Sequence, residues 1–503
     1  MIDNTRPLVF SEDKQQLDLH AEMMTLLQQI GPGHMMNTAY DTAWVARLHK
    51  LGEPMAIEAL NWLREHQLAD GSWGAEVPVY HHDRVICTLA AVIALAEYGL
   101  PEDRVRLDQA MSALDKHLTR LYLDQAGETI AFEMLFPTLI SEAKRLGLIE
   151  SGGTALLNDM ASVRETKLAN SPGGMISRFT TLAFSAEMAG SDETHLVDID
   201  NLQENDGSVG YSPSATAYSV LNFYQDNLNA RDYLRKINNK GGFPNVAPFD
   251  TFEQAWTLWN LALTEIQDSE LDALCQPILD DLEQMWVPGK GAGFAAGYAS
   301  KDSDGTSVVY GVLTHYGRSV DLEAVLSYEE SDYFRCFALE ANPSVSANIH
   351  VLHTLRQAGL PSDNPSIRKI IRFLQMQKRS KDFWLDKWHI SPYYTTAHAI
   401  IANSGLDTLP VDDAIRWIIE TQNENGSWGY YVATAEETAY CLQALVVSKR
   451  NGQHIPDQSL ERGARWLHEH LDPPYPPLWI GKCLYSPFLV IRSAILSALL
   501  MVG

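Results

Sequence analysis

QLADGSWG at residues 67–74, QENDGSVG at 203–210 and QNENGSWG at 422–429 are three copies of one motif. Each follows a helical pattern and precedes another. Its Asp-Gly or Asn-Gly pair supplies a turn with one residue at positive φ. The Gln can bond free backbone groups near a helix end, and Trp73 or Trp428 can cover the joint between two helices. Recurrence of this kind predicts repeated helical hairpins. The copies begin 136 and 219 residues apart, too wide a spacing for a simple solenoid. Two barrels of helical hairpins, each carrying some copies, fit better. The motif itself reads as a stability element.

The flanking sequence agrees. AIEALNWLREHQ (56–67), RVICTLAAVIALAEYG (84–99), DTFEQAWTLWNLALTEI (250–266) and EETAYCLQALVVSKR (436–450) place apolar residues at i, i+3, i+4 and i+7. Clean period-2 strands are hard to find, and Gly and Pro cluster between helical segments, as in QAGLPSDNPS and SGLDTLPVDD. The chain reads as all-α, with no low-complexity linker. Its 503 residues predict two or three domains. With 38 Lys and Arg against 64 Asp and Glu, the net charge of −26 argues against a nucleic-acid partner or an anionic membrane surface. Five cysteines (87, 275, 336, 441, 483) form no C-x-x-C pair, which fits reduced thiols in the cytoplasm and speaks against cysteine-built zinc sites. No signal peptide is visible, and FLVIRSAILSALLMV (488–502), interrupted by Arg492, predicts a buried last helix rather than a transmembrane span.

The Gln-x-x-Asp-Gly-Ser-Trp copies resemble the QW motifs of terpene cyclases with α/α-barrel domains. AYDTAWVARL (39–48), DGSWGAEVPVYHHDRVICTLA (70–90), FEMLFPTLI (132–140), GSVGYSPSATAY (207–218), PFDTFEQAW (248–256), DSDGTS (302–307) and LDKWHI (385–390) extend the likeness, in family order, to the class II diterpene cyclases. ATAEETAYCLQAL and PPYPPLWIGKCLYS bring the chain nearest to small bacterial members of the halimadienyl and kolavenyl type. The resemblance implies two α/α-barrel domains in a βγ architecture, with γ inserted in β: residues 1–30 a leading helix packing with β, 31–225 the γ domain, and 226–503 the β domain. It also implies protonation of the terminal alkene of geranylgeranyl diphosphate, followed by ring closure with the diphosphate retained. A downstream class I synthase or phosphatase would act on the product.

An alkene is a very weak base, so the acid must still hold a proton near neutral pH, which burial or a second carboxylate can arrange. DSDGTS supplies Asp302 and Asp304; by resemblance to the family's DxDD-like motif Asp304 is the acid and Asp302 orients or tunes it. Gly305 stands where the family has a further Asp. VDIDN, with Asp198 and Asp200, imitates the motif but lies in an ordinary helix-and-turn segment and reads as structural. The carbocation needs aromatic walls, for which Trp256, Trp259, Tyr310, Tyr393, Tyr394 and Trp428 are candidates. Lys387 of LDKWHI matches the family's DKW lysine, which resembles a diphosphate-facing position, and Lys167 of VRETKLAN matches a lysine before the family's inserted-domain turn; both are candidates to hold the diphosphate. Mg2+ is implied as companion of the diphosphate. Glu76, Asp83 and Glu133 sit in family-like segments, and the metal ligands are left open. The Asp-Asp pairs at 280 and 412 complete no DDxxD cluster, which is the class I ionisation motif. The alternatives are a copalyl-type synthase, a drimenyl diphosphate synthase on the shorter farnesyl substrate, a squalene–hopene-type cyclase and a non-catalytic α/α-barrel. A simple labdane product needs a base near the first cation, and the sequence displays no persuasive His–Asn pair for it. A rearranged halimane or clerodane skeleton is therefore expected.

Overall fold

The computed structural model describes residues 18–503 except 32, 34, 150–153, 170–173, 339, 341, 380, 381 and 406–408. Helix α1 (Leu19–Gln29) comes first. The chain continues through α2 (Ala39–Ala46), α3 (Pro54–Glu65), α4 (His81–Tyr98), α5 (Arg104–Leu118), α6 (Phe132–Arg145), α7 (Thr154–Ala169), a 3-10 segment (Thr181–Ala189), α8 (Pro213–Asn222) and α9 (Leu228–Ile237). Helices α2, α4, α6, the 3-10 segment and α8 pack side to side into a closed ring, and α3, α5, α7 and α9 lie outside it. Next come α10 (Asp250–Ala262), α11 (Ser269–Met285), α12 (Ser303–His315), α13 (Glu323–Leu326), α14 (Val345–Gln357) and α15 (Pro365–Gln377). They are followed by α16 (Pro392–Asn403), α17 (Asp412–Glu420), α18 (Ala435–Arg450), α19 (Asp457–His468) and α20 (Phe488–Val502). Helices α10, α12, α14, α16, α18 and α20 close a second ring, with α11, α15, α17, α19 and α1 packed around it.

Burial explains which helices sit inside. Every residue of α16 is buried, whereas α15 buries Ile367, Ile370, Ile371, Phe373 and Leu374 and exposes Arg368 and Arg372. Because inner and outer helices alternate along the chain, except where the 3-10 segment leads on to α8, the inner α-helices of a ring run the same way and gather their N-termini at one end. Met23, Leu26 and Leu27 of α1 belong to the second core. The chain enters the first ring at β1 (Asn37–Thr38) and leaves it at β2 (Phe243–Pro244); the two pair antiparallel, Asn37 opposite Pro244 and Thr38 opposite Phe243. Ala230, Tyr233 and Leu234 of α9 and then Phe243 pack into the first core, which therefore runs past residue 225, where the sequence reading ended this unit.

The three motif copies make the same bonds. Gln67, Gln203 and Gln422 each donate to the carbonyl of the glycine four residues on, at 2.9 Å. Those glycines, Gly71, Gly207 and Gly426, have φ of +89°, +89° and +95° and lie against backbone of the neighbouring helix, so a Cβ has no room. The indole N–H groups of Trp73 and Trp428 donate to Leu63 and Ile418 carbonyls at 2.8 and 2.7 Å, satisfying free groups at the ends of α3 and α17. Trp384 does the same for Leu374 of α15, at 2.7 Å, without the rest of the motif.

Arg492, the charge inside α20, pairs with Glu22 of α1 at 2.7 Å and with Asp472 at 3.1 Å. Among the described residues no helix is long and apolar enough to cross a membrane. A hairpin of β3 (Trp479–Ile480) and β4 (Leu484–Tyr485) lies between the rings. Its Ile480 N–H donates to Trp388, just before α16, and its Leu484 N–H to Asp83 in the first turn of α4. The N-terminal ends of both rings thus face this hairpin. Lys482 at its tip is fully buried and bonds Glu187 at 2.6 Å and the hydroxyls of Ser212 and Ser214 at 2.7 Å each.

Candidate active site

Asp302 is the N-cap of α12, and its Oδ1 accepts the Gly305 N–H at 2.6 Å. Thr306, in the same motif, exchanges two hydrogen bonds with the backbone of Ala292 at 3.1 and 3.0 Å, which fixes the start of the helix to the preceding turn. Asp304 therefore occupies the second helical position, at the end of the ring that faces the hairpin. Asp302 is buried, and burial first, then the charge of Asp304, pushes its carboxyl up to about 7. Its Oδ2 has no partner among the described residues. Asp304 retains 15% side-chain exposure, and its Oδ1 lies 2.5 Å from His350 Nδ1. His350 Nε2 lies 2.7 Å from His398 Nδ1. Burial and the neighbouring histidines hold His398 well below the usual imidazole range.

These two histidines are what sequence reasoning missed. The pairing expected for Asp304 was a second carboxylate, but the carboxyl raised by burial is that of Asp302, and Asp304 rests on a histidine of α14. The only signal was a His on an otherwise apolar face in each of two helices, NIHVLHTL and TTAHAII, a pattern that a plain core histidine shares.

Aromatic rings gather beside this chain. Trp256 of α10 stands edge-on to His350 with centroids 5.7 Å apart, and Trp259 stacks on His398 at 4.6 Å. Tyr394 of α16 lies 4.3 Å from His398, 4.9 Å from Trp479 and 5.3 Å from Tyr440. Trp256 and Tyr394, both expected as substrate-binding, thus come together, the indole N–H 3.4 Å from the phenol oxygen. Three other expected residues do not join them. Tyr310 packs against Trp286 at the end of the outer helix α11, because the six residues from Asp304 turn it to the far side of α12. Trp428 is spent on capping α17 and covers Gly463 of α19. Tyr393 likewise stacks outward on Trp417 at 4.7 Å.

The two lysines lie at the facing ends of the rings. Lys387, in the loop that caps α14 through Asp386, bonds the buried Glu340 and the Asn342 carbonyl at 2.6 Å. Lys167 bonds Glu133, which holds the second position of α6. Glu133 is hydrogen-bonded to Glu128, whose carboxyl is pushed up by burial and by that neighbour. Of the acids left open as metal ligands, Asp83 is occupied, its oxygens accepting the N–H groups of Ala75 at 2.7 Å and Leu484 at 2.8 Å. The fold also brings Cys87 and Cys483 beside Asp83, a juxtaposition the spacing rules could not see. Asp198 accepts from Asn201 in a 3-10 turn, Asp280 is paired with Arg318, and Asp412 accepts from Gln453. None of the three belongs to the site.

Comparison with known proteins agrees with this geometry. The family described as squalene-hopene cyclase C-terminal domain matches residues 335–473. A type B diterpene cyclase of Mycobacterium tuberculosis is 44% identical over 492 residues, covering 95% of this chain and 98% of its own. An ent-copalyl diphosphate synthase of a Streptomyces species is 30% identical over 88% of each chain. The solved ent-copalyl diphosphate synthase from Streptomyces platensis superposes with a TM-score of 0.80 at 29% identity, over 97% of this chain and all of that one. With the Asp302–Asp304 pair at the N-terminal end of a second-ring helix and this likeness over nearly its whole length, the chain belongs to the class II (type B) diterpene cyclases.

Proposed function

We propose that the protein cyclises geranylgeranyl diphosphate to a rearranged bicyclic diterpenyl diphosphate of halimane or clerodane type, keeping the diphosphate. The observation that carries this reading is the chain Asp304–His350–His398 beside Trp256, Trp259 and Tyr394. The terminal alkene takes the proton from the free oxygen of Asp304. Its π electrons form the new C–H bond and leave a cation that the chain's internal alkenes trap as rings. His350 stabilises the carboxylate left behind by donating to Oδ1. His398 fixes the His350 ring by bonding its other nitrogen. The aromatic faces hold positive charge without offering a nucleophile.

For the diphosphate, the reading places Lys167 and Lys387 as its cationic partners. The Glu128–Glu133 pair beside Lys167 is the kind of oxygen donor set that Mg2+ takes, and the ion would neutralise diphosphate charge there. The surface partners of Asp280 and Asp412 support a product that keeps its diphosphate, left for a class I synthase or a phosphatase to consume. Five buried free cysteines suit a reducing cytoplasm. The test is incubation with geranylgeranyl diphosphate, and in parallel with farnesyl diphosphate, followed by dephosphorylation and NMR of the alcohol. A bicyclic alcohol with a migrated methyl group is expected. An unrearranged labdane with an exocyclic alkene would overturn the product, and no cyclisation at all would overturn the reading.

A further inference from the structure

Opposite the acid stands a second carboxylate with an unused oxygen. In the second ring the order α10, α12, α14, α16, α18, α20 puts α18 directly across from α12. Glu436 holds the second position of α18, as Asp304 does in α12, so the two residues lie at the same end of the ring on opposite helices. Glu436 is 1% exposed. Its Oε1 accepts the Trp479 indole N–H at 2.7 Å and the Tyr440 hydroxyl at 3.1 Å. It also lies 3.3 Å from His389 Nε2, which carries the ring proton because His389 Nδ1 accepts the Ser391 N–H at 3.1 Å. Three donors thus converge on one oxygen, while Oε2 has no partner among the described residues. The adjacent Glu437 is equally buried, but Ser391, Tyr430 and Thr434 occupy both its oxygens. A buried carboxylate oxygen left open is costly unless something charged comes to it. The rings of Tyr394, Tyr440 and Trp479 lie between it and His398, continuous with the aromatic wall beside Asp304.

We propose that Glu436 is the base that ends the reaction, taking a proton from the rearranged cation through Oε2; this rests on the class II reading of Asp304. The C–H bond next to the cationic carbon breaks, its electron pair becomes the new ring alkene, and the proton passes to Oε2 to give the neutral acid. Asp304 has lost one proton and Glu436 has gained one, and exchange with water between turnovers resets both. A base on the far side of the ring from the donor leaves the first cation unquenched, so hydride and methyl shifts precede proton loss.

The test compares wild type, Glu436→Gln, Glu436→Asp and Asp304→Asn on geranylgeranyl diphosphate. Substrate loss and product profile are read separately. Glu436→Gln is expected to consume substrate within about a hundredfold of wild type. Its product should spread into several alkene isomers and a water-captured alcohol, and Glu436→Asp should restore the wild-type alkene as major product. Asp304→Asn should consume none. A folded Glu436→Gln that gives the wild-type product alone, or one as inert as Asp304→Asn, would overturn the proposal. Should Glu436→Gln fail to fold, Tyr440→Phe and Trp479→Phe each remove one donor from Oε1, and an unchanged product profile in both overturns it equally. Wild type that leaves the substrate intact would overturn the reading of the whole site, and this proposal with it.

Discussion

Asp302 and Asp304 stand two residues apart on α12 and meet different surroundings. Asp304 keeps an exposed edge and a histidine partner. Replacing it with Asn leaves the His350 contact possible and, on the proposed reading, removes the proton donor. Turnover should fall by about four orders of magnitude or more, with the melting temperature little changed, measured as substrate consumed over long incubations. Asp302, expected to orient or tune the acid, also bears on stability. Its carboxyl is raised from 3.8 to about 7, so the folded state binds a proton that the unfolded chain has released. Between about pH 4 and 7 stability therefore falls as pH rises; the contribution is whole below about 4 and gone above about 7, about 4 kcal/mol at most. Asp302→Asn keeps a cap oxygen for Gly305 and cannot ionise. Its melting curve should match wild type near pH 4 and lie above it at pH 8, and parallel curves would rule out this account.

At the scale of elements, the Gln-Gly turn and its indole set how each helical hairpin closes. Trp428→Phe keeps most of the packing and removes the bond to Ile418, at a cost of about 1–2 kcal/mol. Thermal melts should show that loss, while product and KM stay as in wild type; a changed product would put Trp428 back in the site. Gly426→Ala should cost more, because its φ of +95° disfavours a side chain and a Cβ would lie 2.4 Å from the Arg462 carbonyl oxygen. Asp304 owes its position to the same kind of element: a cap at Asp302 and a threonine clamp to the preceding turn.

For the whole molecule, the hairpin between the rings carries the coupling. Lys482 is fully buried and answers a fully buried Glu187 and two first-ring hydroxyls. Removing one partner strands the other charge, at about 3–5 kcal/mol. Lys482→Met should lower the urea midpoint and split unfolding into two steps, followed by near-UV circular dichroism. A single unshifted transition would show that the rings are joined by other contacts. The diphosphate belongs to this scale too, since its expected partners lie at the facing ends of separate rings. Lys167→Ala and Lys387→Ala should each raise KM with smaller effects on the rate at saturation, and removal of Mg2+ should act in the same direction. Unchanged kinetics in both variants would clear them.

Local pattern was enough to determine the helices, the motif that ends them, the buried last helix and the acid's helix start. Each of these depends on residues within a few positions of one another, through periodicity, capping and glycine geometry. Asp304 was singled out by the resemblance of DSDGTS to the family's motif, since DSDG by itself reads as an ordinary turn. The partners of that acid were not. His350 and His398 stand 46 and 94 residues beyond Asp304, and Glu436 sits 132 beyond it. In the sequence each is one buried polar residue on a helix, indistinguishable from a satisfied core group or, for Glu436, from Glu437 next to it. Ring closure decides which helices face each other, and thus which oxygens are filled and which stay open. It also turned Tyr310 and Tyr393 outward while keeping Trp256 and Tyr394 inside, because a helix residue's face depends on which neighbour packs where. Sequence periodicity gives a helix its buried stripe; on inner helices buried all round, only the tertiary packing tells the side that meets the ring from the side that meets the wall.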